Sequence, residues 1–115
     1  NPNILDIYKY TGSAIETVAE GVALPSTLPA SNGVTRDFKE IAFTGSNVYM
    51  IARSDKRLYR LKGKDWEVLG QNLLTLENTF TAIEGGVDGL YAGLTTVLEN
   101  AGPKRVAADL IFLKN

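Results

Sequence analysis

Residues 38–73 read FKEIAFTGSNVYMIARSDKRLYRLKGKDWEVLGQNL, and no other stretch constrains the fold as tightly. Four short apolar runs are separated in it by Gly, Ser, Asn, Asp and Lys. Runs of four to eight residues bounded by such clusters mark β-strands, because glycine and the small polar residues supply turn conformations that strand interiors do not tolerate. Strands are therefore expected at residues 39–44, 48–52, 57–61 and 66–70, with turns at 45–47, 53–56 and 62–65. The stretch is read as an antiparallel four-stranded meander in an all-β protein.

The flanking segments look like partial copies of it. Residues 4–10 and 15–22 alternate apolar and polar around Thr11-Gly12-Ser13, which predicts a hairpin with Gly12 taking a positive φ at little cost. A helix capped by Ser13 with Glu16 completing a capping box competes with this reading. The hairpin is preferred because its apparent copy carries Trp66, Val68 and Leu69. Setting Tyr8 on Tyr59, an offset of 51, brings Gly12 onto Gly63, Glu16 onto Glu67 and Val22 onto Leu73. Setting Tyr49 on Tyr91, an offset of 42, brings Phe38 onto Phe80, Ile41 onto Ile83 and Val48 onto Leu90. A period of 40 to 50 residues falls in the range of four-stranded propeller blades.

In the third unit, residues 80–83 and 90–94 are expected as the first two strands, with the glycine-rich turn GGVDG between them. Residues 96–100 and 106–113 are expected as the last two, although VAADLIFL at 106–113 also suits a short buried helix, since run length alone does not separate the two. The organisation is thus one β domain or propeller segment over residues 1–115: a half unit at 1–22, a surface loop at 23–37, a central unit at 38–73 and a third unit at 80–115. About two and a half units do not close a ring, so the ring is expected to be incomplete in this chain. Asn1 in place of an initiator Met fits a processed or trimmed chain.

Val48-Tyr49-Met50-Ile51, then Leu58-Tyr59-Arg60-Leu61, then Trp66-Glu67-Val68-Leu69 resemble a kelch-type propeller blade. In that family a second strand leads to a tyrosine-bearing third strand and then to a tryptophan packed between blades. The resemblance spans roughly the 36 residues of the central unit. It departs from the family where a double glycine should follow the second strand, since Ile51 runs into Ala52-Arg53. The resemblance implies a β-propeller repeat and no particular chemistry, because one fold hosts unrelated activities.

Composition narrows the chemistry. At 115 residues, 44% hydrophobic and 22% charged, the chain suits one ordinary globular domain. Its net charge of −1 gives no global attraction for phosphate backbones or anionic lipid, and no apolar run approaches the roughly 20 residues of a membrane-spanning helix. Nucleic-acid binding and membrane insertion are not expected. With no Cys and no His, the thiol nucleophile, the Ser-His-Asp relay and the usual zinc ligands are missing. GGVDG has neither dinucleotide nor Walker spacing, and no calcium loop occurs. No catalytic residue, metal ligand or cofactor is assigned.

The ligand-binding candidates are Arg53, Asp55, Lys56, Arg57, Tyr59 and Trp66. The first four crowd one turn with three positive charges and one negative, where guanidinium geometry suits a carboxylate, sulfate or phosphate; the plain reading is a solvated hairpin tip with an internal Asp55 pair. Trp66 with Tyr59 and Tyr8 would offer a sugar-stacking platform, or would fill the core. Carboxylates at Glu16, Glu20, Glu40, Asp65, Glu67, Glu77, Glu84, Asp88 and Glu99 show no motif spacing. The expected function is a non-catalytic binding or structural β module recognising protein surfaces or glycans, with attachment as one such role, within an oligomer or a larger propeller. Its unpaired strand edges favour self-association or a missing chain segment. A carboxylate-based carbohydrate hydrolase is the alternative.

Overall fold

A computed structural model describes residues 4–25, 38–45, 47–53, 55–70, 78–97 and 106–115. Those residues are all β: β1 Ile4–Tyr10, β2 Ile15–Ala23, β3 Phe38–Thr44, β4 Asn47–Ala52, β5 Leu58–Lys62, β6 Asp65–Leu69, β7 Asn78–Gly85, β8 Gly89–Val97 and β9 Val106–Lys114. They form a two-stranded hairpin, the four-stranded meander β3-β4-β5-β6 and a three-stranded meander β7-β8-β9, all antiparallel.

The first hairpin turns at Gly12, with φ of 96°, and the Thr11 amide donates to the Ala14 carbonyl at 2.9 Å. Its second strand is bulged, since Leu5 faces Val22 while Ile7 faces Ala19. Gly21, at φ of 66°, absorbs the kink, and its amide donates to Asp6 Oδ1 at 3.0 Å, so the group displaced from the ladder keeps a partner.

β4 is apolar on both sides because both of its faces are covered. Tyr49 and Ile51 join Ala42 and Leu58 in a core with Phe80, Leu90, Ala92 and Leu94 of the third sheet. Met50 and Ala52, pointing the other way by strand alternation, pack with Tyr59, Trp66 and Val68 on the hairpin side. The central sheet is thus the middle of three layers, and the alternation typical of a half-solvated strand gives way to a continuous apolar run.

The layers approach most closely at β3 and β7. A Cβ added to Gly85 would lie 1.9 Å from the Phe43 carbonyl oxygen, so only glycine admits this backbone contact. Glu40 Oε2 accepts the Ile83 amide at 2.6 Å, and the Lys56 carbonyl accepts the Phe80 amide at 3.3 Å. Tyr49 donates its hydroxyl to Asn115 Oδ1 at 3.0 Å, while Asn115 Nδ2 donates to the buried Thr44 hydroxyl at 2.8 Å.

Two pairs of hairpins share one register. In β3-β4 the pairs Phe38↔Ala52, Glu40↔Ile51, Ile41↔Met50, Ala42↔Tyr49 and Phe43↔Val48 map, at the offset of 42, onto Phe80↔Leu94, Ala82↔Gly93, Ile83↔Ala92, Glu84↔Tyr91 and Gly85↔Leu90 of β7-β8. Even the bulge repeats, at Lys39 in one and Thr81 in the other. At the offset of 51, Tyr8↔Thr17, Lys9↔Glu16 and Tyr10↔Ile15 map onto Tyr59↔Val68, Arg60↔Glu67 and Leu61↔Trp66.

One expectation is corrected. Residues 96–100 were to open a separate strand, but Thr96 and Val97 continue β8, and 98–100 lie outside the described residues. β8 then pairs directly with β9 over nine residue pairs. Thr95, Thr96 and Val97 are β-branched and extend the strand rather than ending it. Residues 106–114 are strand rather than helix, because their backbone is committed to that ladder. Most of the expected loop at 23–37 also falls outside the described residues.

Candidate functional site

The hairpin does not seat flush on the central sheet. Among the described residues two clefts lie between them, and Trp66 lines both. The larger, of about 390 Å³, is bordered by Ala23, Leu24 and Pro25 where β2 ends, and by Tyr59, Lys64, Asp65, Trp66 and Val68 of β5, β6 and their turn. The smaller, of about 180 Å³, lies between Leu5, Ile7 and Tyr8 and the side chains of Ile41, Phe43 and Met50. Only the larger reaches the size usual for small-molecule sites.

Local chemistry builds the larger cleft. Pro25 has no amide proton to extend the β2 ladder, so the chain leaves the sheet there and its last strand residue keeps a spare carbonyl. Trp66 Nε1 donates to that Ala23 carbonyl at 2.9 Å, tying hairpin to sheet. Across the register Trp66 faces Leu61, next to the Gly63-Lys64 turn, which Gly63 permits with φ of 67°. Tyr59 is buried and donates its hydroxyl to Asp55 Oδ2. With Tyr59 only 1% exposed and the indole proton of Trp66 committed, Trp66 is the aromatic side chain left to meet a ligand, and polar recognition falls to Lys64 and Asp65.

The six residues singled out from sequence do not converge. Tyr59 and Trp66 line the larger cleft. Arg53, Asp55, Lys56 and Arg57 form the β4-β5 turn, at the end of the meander opposite the β5-β6 turn that carries Lys64. Asp55 braces its own turn, since its Oδ1 accepts the Arg57 amide at 2.9 Å and its Oδ2 accepts a hydrogen bond from the Tyr59 hydroxyl. The internal Asp55 pairing is therefore with a backbone amide and a phenol; among the described residues the one ion pair is elsewhere. Lys56 sits at φ of 59°, an uncommon conformation for a residue with a side chain. Tyr8 lines only the smaller cleft.

Sequence reasoning missed Lys64 and Asp65 as site residues. Their signal was positional: they lie in the turn directly before Trp66, whereas the denser charge of residues 53–57 drew attention away.

On the opposite face of the central sheet, Arg60 Nη2 donates to Glu67 Oε2 at 2.9 Å. That hydrogen bond holds the Glu67 carboxyl below the usual carboxylate range and keeps the Arg60 guanidinium still more firmly protonated. A glycosidase general acid needs the reverse shift. Among the described residues no group of three or more acidic, His or Cys side chains is placed to hold a metal.

Fold and cleft together define an all-β protein of layered antiparallel meanders with an aromatic cleft at one layer boundary. No protein-family model matches the chain, and neither a curated protein nor a solved structure matches it.

Proposed function

We propose that this chain is a non-catalytic binding and structural β module whose hairpin-to-sheet cleft takes a saccharide, and whose layers stack in the manner of propeller blades within an oligomer or larger assembly. The observation that carries the ligand reading is the cleft of about 390 Å³ at Trp66. Its aromatic protons are spent internally while Lys64 and Asp65 stand at its border. The Trp66 ring suits the C–H face of a pyranose, and the flanking ammonium and carboxylate suit its hydroxyl groups. A concave site of this size favours a saccharide over a flat protein surface. The repeated register and the three-layer order support the blade-like stacking.

Binding to an array of immobilised glycans tests this, with Lys64→Ala beside the parent chain. Retention of a defined saccharide class, weakened about tenfold by Lys64→Ala and leaving the sugar intact, supports the reading. Retention of none contradicts it, and cleavage of the bound sugar replaces it with the carboxylate hydrolase.

A further inference from the structure

Building on that stacking, we propose that a second copy of this chain packs the outer face of its β1-β2 hairpin onto the outer face of β7-β8-β9, head to tail. Within one chain, each layer presents a defined side to the next. Tyr49 points from the central sheet into the third sheet and is 1% exposed. Tyr91 holds the same register position one unit later. Leu90 and Ala92 on either side of it are buried against the central sheet, so alternation turns Tyr91 outward, where it is 44% exposed. Its ring contacts Phe112, with centroids 4.9 Å apart, and Leu110 beside them is 76% exposed. This is the side on which a following layer belongs.

At the other end of the stack, no described strand lies on the far side of the hairpin. Tyr8, Tyr10 and Ile15 occupy the register positions of Tyr59, Leu61 and Trp66. In the central sheet Tyr59 and Trp66 face the hairpin. In the hairpin, no described residue covers the positions equivalent to Trp66 and Leu61: Ile15 is 72% and Tyr10 71% exposed.

A second copy placed head to tail supplies each missing layer with the kind of face that already covers its counterpart. Continuity with the interface inside the chain thus selects the occupant. Glu84 and Gly93 stand where the central sheet has Ala42 and Ile51, so the contact is less apolar than its intrachain model and associates reversibly. The two faces differ, so the contact is heterologous and extends to a ring or an open array.

The test is analytical ultracentrifugation of the parent chain with Ile15→Glu and Leu110→Glu, both at exposed positions and checked for fold by circular dichroism. The parent should associate with rising concentration, whereas each variant alone should remain at 12.5 kDa. Mixed one to one, the variants should form a species of twice that mass, since each keeps the face the other has lost. A parent chain monomeric at all concentrations overturns the proposal. So does association abolished by Leu110→Glu but untouched by Ile15→Glu, which marks a like-with-like contact. Saccharide binding measured on the monomeric variants separates the two readings, because the cleft uses neither substituted residue.

Discussion

The Phe43 carbonyl occupies the space that a side chain on Gly85 would need, and these two residues hold the same register position in successive sheets. One position therefore carries a phenylalanine in the central sheet and can carry only glycine in the next. The close approach of β3 to β7 sets the spacing of the layers.

Gly85→Ala should accordingly be among the most damaging small substitutions in the chain. Gly85 has no positive φ to surrender, so the cost is steric, and the atom in the way is backbone oxygen rather than a movable side chain. Separation of the sheets is expected to cost about 1–3 kcal/mol, read as a lower urea midpoint. Gly63→Ala is a useful contrast: open space surrounds it, so its cost should arise from φ alone.

Tyr49→Phe should destabilise by about 0.5–1.5 kcal/mol while keeping the ring in place. The lost hydroxyl bonds Asn115, which in turn holds the buried Thr44. The Asn115 side-chain amide resonances should broaden, and Asn115→Ala should add little to Tyr49→Phe if the three side chains act as one network.

Acid stability should depend on Glu67. Arg60 lowers its folded-state pKa beneath the unfolded value of about 4.3, so the unfolded chain binds the proton more readily. The contribution is present above that unfolded value and disappears as the pH falls through the lowered folded one. Glu67→Gln should flatten this part of the pH–stability curve by removing the contribution at neutral pH, a small one because the pair is solvent-accessible, so that parent and variant converge in acid. Raising the ionic strength should act in the same direction.

The strands were legible wherever local chemistry decides them. The meander from β3 to β6 and the hairpin at Gly12 followed from apolar alternation and turn residues, and all their observed ends fall within one residue of those expected. The expected strand at 106–113 is present as β9, but the choice against a helix was open in the sequence, because VAADLIFL is held as a strand by its ladder with β8, a contact that no local pattern encodes. The shared bulge was not legible, since Lys39 and Thr81 have no side-chain feature in common. For the candidate site, Tyr59 and Trp66 were visible as aromatics. The cleft around them depends on where Pro25 carries the chain off the sheet and on how the hairpin then lies against Trp66, which is tertiary placement.

The chain holds a single tryptophan, and it lines the proposed site, so its emission reports on the cleft without labelling. The most direct measurement is a titration of Trp66 fluorescence with the saccharide class retained on the array, in the parent chain, in Lys64→Ala and in Arg53→Ala/Arg57→Ala. A saturable spectral shift is predicted, its midpoint raised about tenfold by Lys64→Ala and unchanged by the paired arginine substitutions. Heat of binding by calorimetry with no change in Trp66 emission, or a midpoint displaced by the arginine pair alone, would place recognition at the β4-β5 turn and contradict the account.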